Sequence, residues 1–174
     1  IARLDAAPNT RDVPRTVLVG DEGRLAVATH PDADILLCAS SGTSSLDAAL
    51  AAIDAGKTLA LANKEVLVMA GALMVEAAVK RGVAILPVDS EHCAVFQCLD
   101  GERRSAVRRI WLTASGGPFR NRPLDTFASI TRNEALRHQT WTMGPRITIG
   151  SATMMNKAFE ILEAHWLFDL PPER

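Results

Sequence analysis

The chain has 174 residues with a formal net charge of -1, and nearly half of its residues are hydrophobic. That composition supports one ordinary core or two small ones and excludes a disordered chain. The near-neutral balance argues against a nucleic-acid surface and against an anionic membrane as partner, and no apolar run reaches transmembrane length.

The chain opens on Ile1-Ala2-Arg3-Leu4, with neither an initiator Met nor a signal peptide, which reads as a cut or processed end. Thr16–Val19 is a short strand candidate, Gly20–Thr29 a short helix, and Asp34–Ala39 a second strand. The polar turn at residues 40–45 ends on Ser45, a residue type that caps a helix over Leu46–Ala55, with Gly56 as its stop. Thr58–Leu61 is a third strand. Val66–Arg81 is the clearest helix, with Leu67, Ala70, Met74, Ala77 and Ala78 near one stripe and Gly82 as its end. Ala84–Val88 is a fourth strand. Strands apolar throughout, alternating with helices, predict an α/β fold with a parallel sheet.

The second half is less regular. His92–Leu99 reads as a helix, Val107–Ala114 as a strand, and Ser115-Gly116-Gly117-Pro118 as a turn or anion-binding nest. Pro123–Arg137 is helical in pieces, with a capping-box pattern at Thr131-Arg132-Asn133-Glu134. Residues 138–144, with Trp141 and Met143, lack periodicity and read as a mobile loop. Ala152–Phe168 is a strong helix, with Ser151 placed as its N-cap. The arginines 103, 104, 108 and 109 read as a solvated face. Cys38, Cys93 and Cys98 are odd in number and lack CxxC spacing, so they read as reduced thiols. His30 and His165 are assigned to structure.

The chemistry concentrates at Leu86-Pro87-Val88-Asp89-Ser90-Glu91-His92. On a strand, Asp89 and Glu91 point to the same side, because side chains alternate. Two acids at a strand end make a poor core and a good site for a hard divalent cation. Glu160 lies within one helical turn of Asn156 and Lys157, so these can share one mouth, with the amide for a hydroxyl and the lysine for phosphate. Asn63-Lys64-Glu65 follows a strand, where α/β sheets bind ligands. The plain alternatives are a surface ion pair for Asp89 and Glu91, a solvated helix face for Lys157 and Glu160, and a helix N-terminus with a first-turn acid for residues 63–65.

Together these motifs resemble the 1-deoxy-D-xylulose 5-phosphate reductoisomerase family. The runs that carry the resemblance are residues 60–65 (Ala-Leu-Ala-Asn-Lys-Glu), 86–92, 113–120 (Thr-Ala-Ser-Gly-Gly-Pro-Phe-Arg), 141–144 (Trp-Thr-Met-Gly) and 151–157 (Ser-Ala-Thr-Met-Met-Asn-Lys), with Glu160. The resemblance implies the later part of a Rossmann-like parallel-sheet domain over residues 1–89. An α+β catalytic domain, incomplete, follows over 90–174. It implies NADPH and Mg²⁺ or Mn²⁺ (Co²⁺ as a further metal) as cofactors, with Asp89, Glu91 and Glu160 as metal ligands. Lys64, Ser90, Ser115, His138, Ser151, Asn156, Lys157 and Glu160 would contact a sugar phosphate, and Asn63, Glu65 and Gly144 the NADPH. Lys64, Glu91 and His138 would be the catalytic residues, and Trp141 and Met143 would belong to the loop over the site.

The implied reaction rearranges and reduces 1-deoxy-D-xylulose 5-phosphate to 2-C-methyl-D-erythritol 4-phosphate, in the non-mevalonate route to isoprenoids. The implied setting is a homodimer in the bacterial cytoplasm or, given the missing N-terminus, in a plastid. The family's Gly-rich dinucleotide fingerprint and its helical C-terminal domain lie outside the 174 residues, so the fragment alone is expected to be inactive. Gly150 stands where the family pattern has Asp, Gln139 where it has Pro, and Cys93 is a milder departure. Two rival readings are a degenerate, non-catalytic binder of a phosphate ligand and a dimerisation module.

Overall fold

The computed structural model describes residues 17–171 and 173–174. In the first half, strands β1 (Ile35–Cys38), β2 (Thr58–Leu61) and β3 (Ile85–Pro87) form one parallel sheet in the order β1-β2-β3. Ile35 pairs with Thr58 and Leu59 with Ile85. Parallel neighbours need long crossovers, and helices α2 (Leu46–Asp54) and α3 (Lys64–Arg81) supply them. Helix α1 (Gly20–Ala28) precedes β1 and packs on α2. Of the first strand candidate, Thr16 lies outside the described residues, and Val17–Val19 are exposed and form no strand.

The core lies between this sheet and its helices. Cys38, Leu59 and Leu61 from the strands meet Ala49 and Ile53 of α2 and Val66, Leu67, Met74 and Ala78 of α3. The predicted stripe on α3 is the buried one. Gly82 ends that helix in the left-handed region at φ 67°, and Gly56 follows α2 at φ 78°. On β1, Leu36 and Cys38 face the core while Ile35 and Leu37 are exposed, so one face of that strand has no cover among the described residues.

The second half is helical and irregular. It comprises α4 (Ser90–Leu99), short 3-10 turns at Arg104–Ala106 and Leu124–Ser129, α5 (Arg132–Ala135), α6 (Pro145–Ala152) and α7 (Met155–Phe168). The capping box of α5 forms as predicted, with Thr131 and Glu134 bonding reciprocally. Residues 107–114 are the main departure. They carry no strand, because a strand exists only when paired and no partner strand lies beside them among the described residues. Their backbone meets the chain's far end instead, with Ile110 N–H donating to the Arg174 carbonyl at 2.7 Å.

The long helix predicted from Ala152 is broken. Met154 takes a left-handed conformation (φ 59°), so α6 ends at Ala152 and α7 starts at Met155. Ser151 therefore lies inside α6 and caps nothing. Ser45 precedes α2 without a side-chain cap bond, because its hydroxyl accepts from Asn63 Nδ2 at 3.0 Å instead. The four arginines at 103, 104, 108 and 109 are exposed, as expected of a solvated face. No helix among the described residues is long and apolar enough to cross a membrane.

One packing contact positions the site. Helix α7 lies along α3, and Trp166 and Leu167 cover the edge of the core. The C-terminal ends of β1, β2 and β3 lie at one edge of the sheet, and the segments leaving them are residues 39–45, 62–65 and 88–91. Glu160 and Glu163 of α7 reach Lys64 at that edge.

Candidate active site

Asp89 and Glu91 do converge, but not by strand alternation. Pro87 closes β3, Asp89 is the N-cap of α4 without bonding its backbone, and Glu91 stands in the first helical turn. From α7, Glu160 joins them. One carboxylate oxygen each of Asp89, Glu91 and Glu160 lies within 4.8 Å of the others. Glu160 is buried, and the other two are partly buried.

Two lysines thread the acids. Lys64, the first residue of α3, pairs with Asp89 Oδ2 and stands 3.4 Å from Glu160 and 3.9 Å from Glu163. Lys157 pairs with Glu160, donates to the Thr113 carbonyl, and stands 3.2 Å from Glu91. Asn156 donates to the second Glu160 oxygen. Four carboxylates thus face two ammonium groups, and oxygens Asp89 Oδ1 and Glu163 Oε2 are buried without a hydrogen-bond partner among the described residues. An all-oxygen donor set with surplus negative charge at Asp89, Glu91 and Glu160 fits a hard divalent cation.

Glu163 and His92 were not singled out by the sequence. Both are buried beside Asp89, and these three form a second group whose ligand atoms lie within 4.8 Å of one another. Burial pushes the Glu163 carboxyl up to about 7, against the pull of Lys64 and with the push of Glu160 and Glu65. Burial also lowers His92, opposed by its bond to the Glu160 carbonyl. The signal for Glu163 was present in the spacing, since residues 156, 160 and 163 share one face of a helix.

Of the predicted substrate residues, Ser115, Ser151, Asn156 and Lys157 line a small cleft with Glu91 and Gly116, while Lys64, Ser90, His138 and Glu160 lie outside its lining. The turn before it needs its glycines. Gly116 and Gly117 have φ of 81° and 66°, and a Cβ on Gly117 would stand 2.5 Å from the Ser151 carbonyl oxygen. That close approach seats the Ser115 turn on α6. His138 reaches Ser115 from the irregular loop. Its Nδ1 accepts N–H groups of Thr140 and Trp141 at 3.1 and 3.0 Å, so a neutral ring carries its proton on Nε2. Nε2 then donates to Ser115 Oγ at 3.0 Å, which leaves the serine's own proton for an incoming acceptor. Ser90 is exposed at the start of α4, near these groups in sequence but with no hydrogen bond of its side chain among the described residues. Trp141 is exposed and Met143 half-buried on the loop.

The predicted cofactor residues separate. Asn63 is buried and its amide is engaged by the protein. Nδ2 donates to the carbonyls of Ser40 and Gly42, and Oδ1 caps α3 through Val66 N–H. It holds the 40–45 turn against α3. Glu65 is half-buried and pairs with the exposed Arg146 at 3.0 Å. Gly144 precedes α6 with open space around it.

Comparison with known proteins agrees along the chain. A model of the 1-deoxy-D-xylulose 5-phosphate reductoisomerase family matches residues 1–71, and the model of its C-terminal domain matches residues 85–168. The reductoisomerase of Exiguobacterium sibiricum is 58% identical over 159 residues, covering 91% of this chain and 41% of that protein. That of a Geobacillus species is 54% identical over 158 residues, covering 91% and 42%. The chain thus spans about two-fifths of the length of the curated relatives it matches. A crystal structure of DOX-P reductoisomerase in complex with NADPH, fosmidomycin and magnesium superposes with a TM-score of 0.81 at 43% identity, covering 88% of this chain and 40% of that one. The Zymomonas mobilis enzyme in complex with NADPH gives 0.80 at 48% identity, covering 88% and 39%.

Proposed function

The chain belongs to the 1-deoxy-D-xylulose 5-phosphate reductoisomerase family, and on that premise we propose that the whole protein converts 1-deoxy-D-xylulose 5-phosphate to 2-C-methyl-D-erythritol 4-phosphate with NADPH and a divalent metal. Residues 1–89 supply the later part of the cofactor domain, and residues 90–174 supply the metal- and substrate-binding part. The protein works as a cytoplasmic homodimer in isoprenoid synthesis by the non-mevalonate route. The observation that carries this reading is the meeting of Asp89, Glu91 and Glu160 beside the cleft of Ser115, Ser151, Asn156 and Lys157.

Asp89, Glu91 and Glu160 would hold Mg²⁺ or Mn²⁺. Bound there, the cation supplies Lewis acidity toward a ketone and its neighbouring hydroxyl, and the nicotinamide supplies hydride. The chain's own groups orient the substrate. Ser115, Ser151, Asn156 and Lys157 grip the phosphate and hydroxyls, and that binding energy aligns the reacting carbons. His138 holds Ser115 in its donating orientation. Lys64, paired with Asp89 and 3.4 Å from Glu160, would meet a negatively charged substrate oxygen. Trp141 and Met143 would close over the site and exclude water. Glu65 and Gly144 would contact NADPH, as would Asn63, which also shapes the 40–45 turn.

The test uses the whole protein containing this chain. Loss of NADPH absorbance on adding 1-deoxy-D-xylulose 5-phosphate and Mn²⁺, abolished by chelation and by Glu91→Gln, is the expected result. Undiminished turnover in the chelated protein or in Glu91→Gln would remove the metal role of these acids.

A further inference from the structure

We propose that Glu163 and His92 are positioning residues that set the direction of Asp89 and the spacing of the acids, an inference that rests on the metal reading above. The starting point is a buried place that lacks a hydrogen-bond donor. His92 is fully buried, and its Nε2 donates to the Glu160 main-chain carbonyl at 2.8 Å. That bond ties α4, which carries Glu91 and follows Asp89, to α7, which carries Glu160. It also fixes the tautomer of a neutral ring, so Nδ1 is a bare acceptor.

Nδ1 looks at two more acceptors. Asp89 Oδ1 is 3.8 Å away and Glu163 Oε2 is 3.9 Å away. All three atoms are buried without a hydrogen-bond partner among the described residues. Their nearest protein cation is Lys64, at 3.9 Å from Glu163 Oε2. A buried, unsatisfied polar atom is costly, so three of them facing one point form a built feature and not a surface accident.

The consequence falls on Asp89. Its Oδ1 is enclosed by this acceptor wall, so Oδ2, the oxygen paired with Lys64, is the one left toward the cluster. Lys64 is shared by Asp89 Oδ2, Glu160 at 3.4 Å and Glu163 at 3.9 Å, and this shared ammonium holds the Asp89 carboxylate in one orientation. His92 meanwhile sets how far the Glu160 backbone stands from the start of α4. Groups behind metal ligands tune affinity without touching the ion, typically by 10–100-fold.

The experiment measures Mn²⁺ binding to the whole protein from the electron paramagnetic resonance signal of free Mn²⁺. Wild type, Glu91→Gln, Glu163→Gln, His92→Phe and His92→Gln are compared, and NADPH affinity is measured for each. Glu163→Gln and His92→Phe should weaken Mn²⁺ binding about tenfold or more, with NADPH affinity unmoved. His92→Gln, whose amide N–H reaches the same carbonyl, should recover most of the loss. Wild-type Mn²⁺ affinity in both Glu163→Gln and His92→Phe overturns the proposal. If His92→Phe does not fold, the near-isosteric Glu163→Gln decides alone. Failure of the metal reading looks different, because wild type and Glu91→Gln would then bind Mn²⁺ equally or not at all.

Discussion

Gly71→Ala should loosen both the fold and the site, because the Trp166 ring of α7 lies directly over Gly71 of α3. A Cβ there would lie 2.4 to 2.5 Å from Trp166 Cδ1, Nε1 and Cγ. Ordinary carbon contacts sit near 3.5–4.0 Å, so ring and helix must part by about 1 Å. The residue is helical, and Gly→Ala alone would add up to about 1 kcal/mol of helix stability. Two costs oppose it. Overpacking costs roughly 1–3 kcal/mol. If Trp166 swings outward and uncovers about 80 Å² of apolar surface, the loss is about 2 kcal/mol at about 25 cal/mol per Å². The net expectation is destabilisation by about 2–4 kcal/mol. Lys64 stands on α3 ahead of Gly71 and Glu163 on α7 ahead of Trp166, so moving the helices apart also lengthens the Lys64–Glu163 and Lys64–Glu160 approaches. Denaturant unfolding of the whole protein, followed by Mn²⁺ titration, reads both effects. A variant as stable as wild type with unchanged Mn²⁺ affinity would show that the α3–α7 contact does not set the site.

The same exchange on α6 should have the opposite sign. A Cβ on Gly150 would find Asn156 at 3.6 Å, ordinary contact, so Gly150→Ala should stabilise by roughly 0.5–1 kcal/mol. Mn²⁺ affinity should stay unchanged, and a fall in melting temperature would contradict this packing. Asn63→Ala should cost about 2–4 kcal/mol, because it removes the α3 cap and strands the Ser40 and Gly42 carbonyls, as an unfolding curve would measure. Glu134 is held at about 2, below the ordinary 4.5, chiefly by the Thr131 hydroxyl, then by the Thr131 N–H and Arg122. Its folded value is depressed, so its contribution is complete above about 4.5 and is lost as pH falls toward about 2. A carboxyl-carbon NMR titration should show this midpoint, and Thr131→Ala should move it upward.

What the sequence made legible was local. The α3 stripe, the glycines that stop α2 and α3, and the capping box of α5 each depend on residues a few positions apart, and each stands where the pattern put it. The strand expected at 107–114 depended on a partner elsewhere in the chain, and apolar composition cannot supply one. Ser151 was misplaced for a related reason. Only the left-handed turn at Met154 separates α6 from α7, and nothing in Thr153-Met154-Met155 announces it. Asp89 and Glu91 were correctly paired by a mistaken route, since a helix start brings together what strand alternation also would.

The site itself shows why His92 and Glu163 escaped the reading while Asp89, Glu91 and Glu160 did not. An acid beside a strand end is conspicuous in sequence because it breaks an apolar run. Glu160 stood out through its neighbours Asn156 and Lys157, and Glu163 shares that helix face, but the weight of His92 and Glu163 appears only when another element buries them. Here α7 buries both against α3 and α4. Folding thereby confines the charges of Asp89, Glu91, Glu160 and Lys64 in one place with partners incompletely matched. A cation that completes the match binds the folded state alone, so it must stabilise the packing of α3, α4 and α7 by mass action. The side chains that make this cluster expensive without a cation are the same ones that couple a cation to the fold.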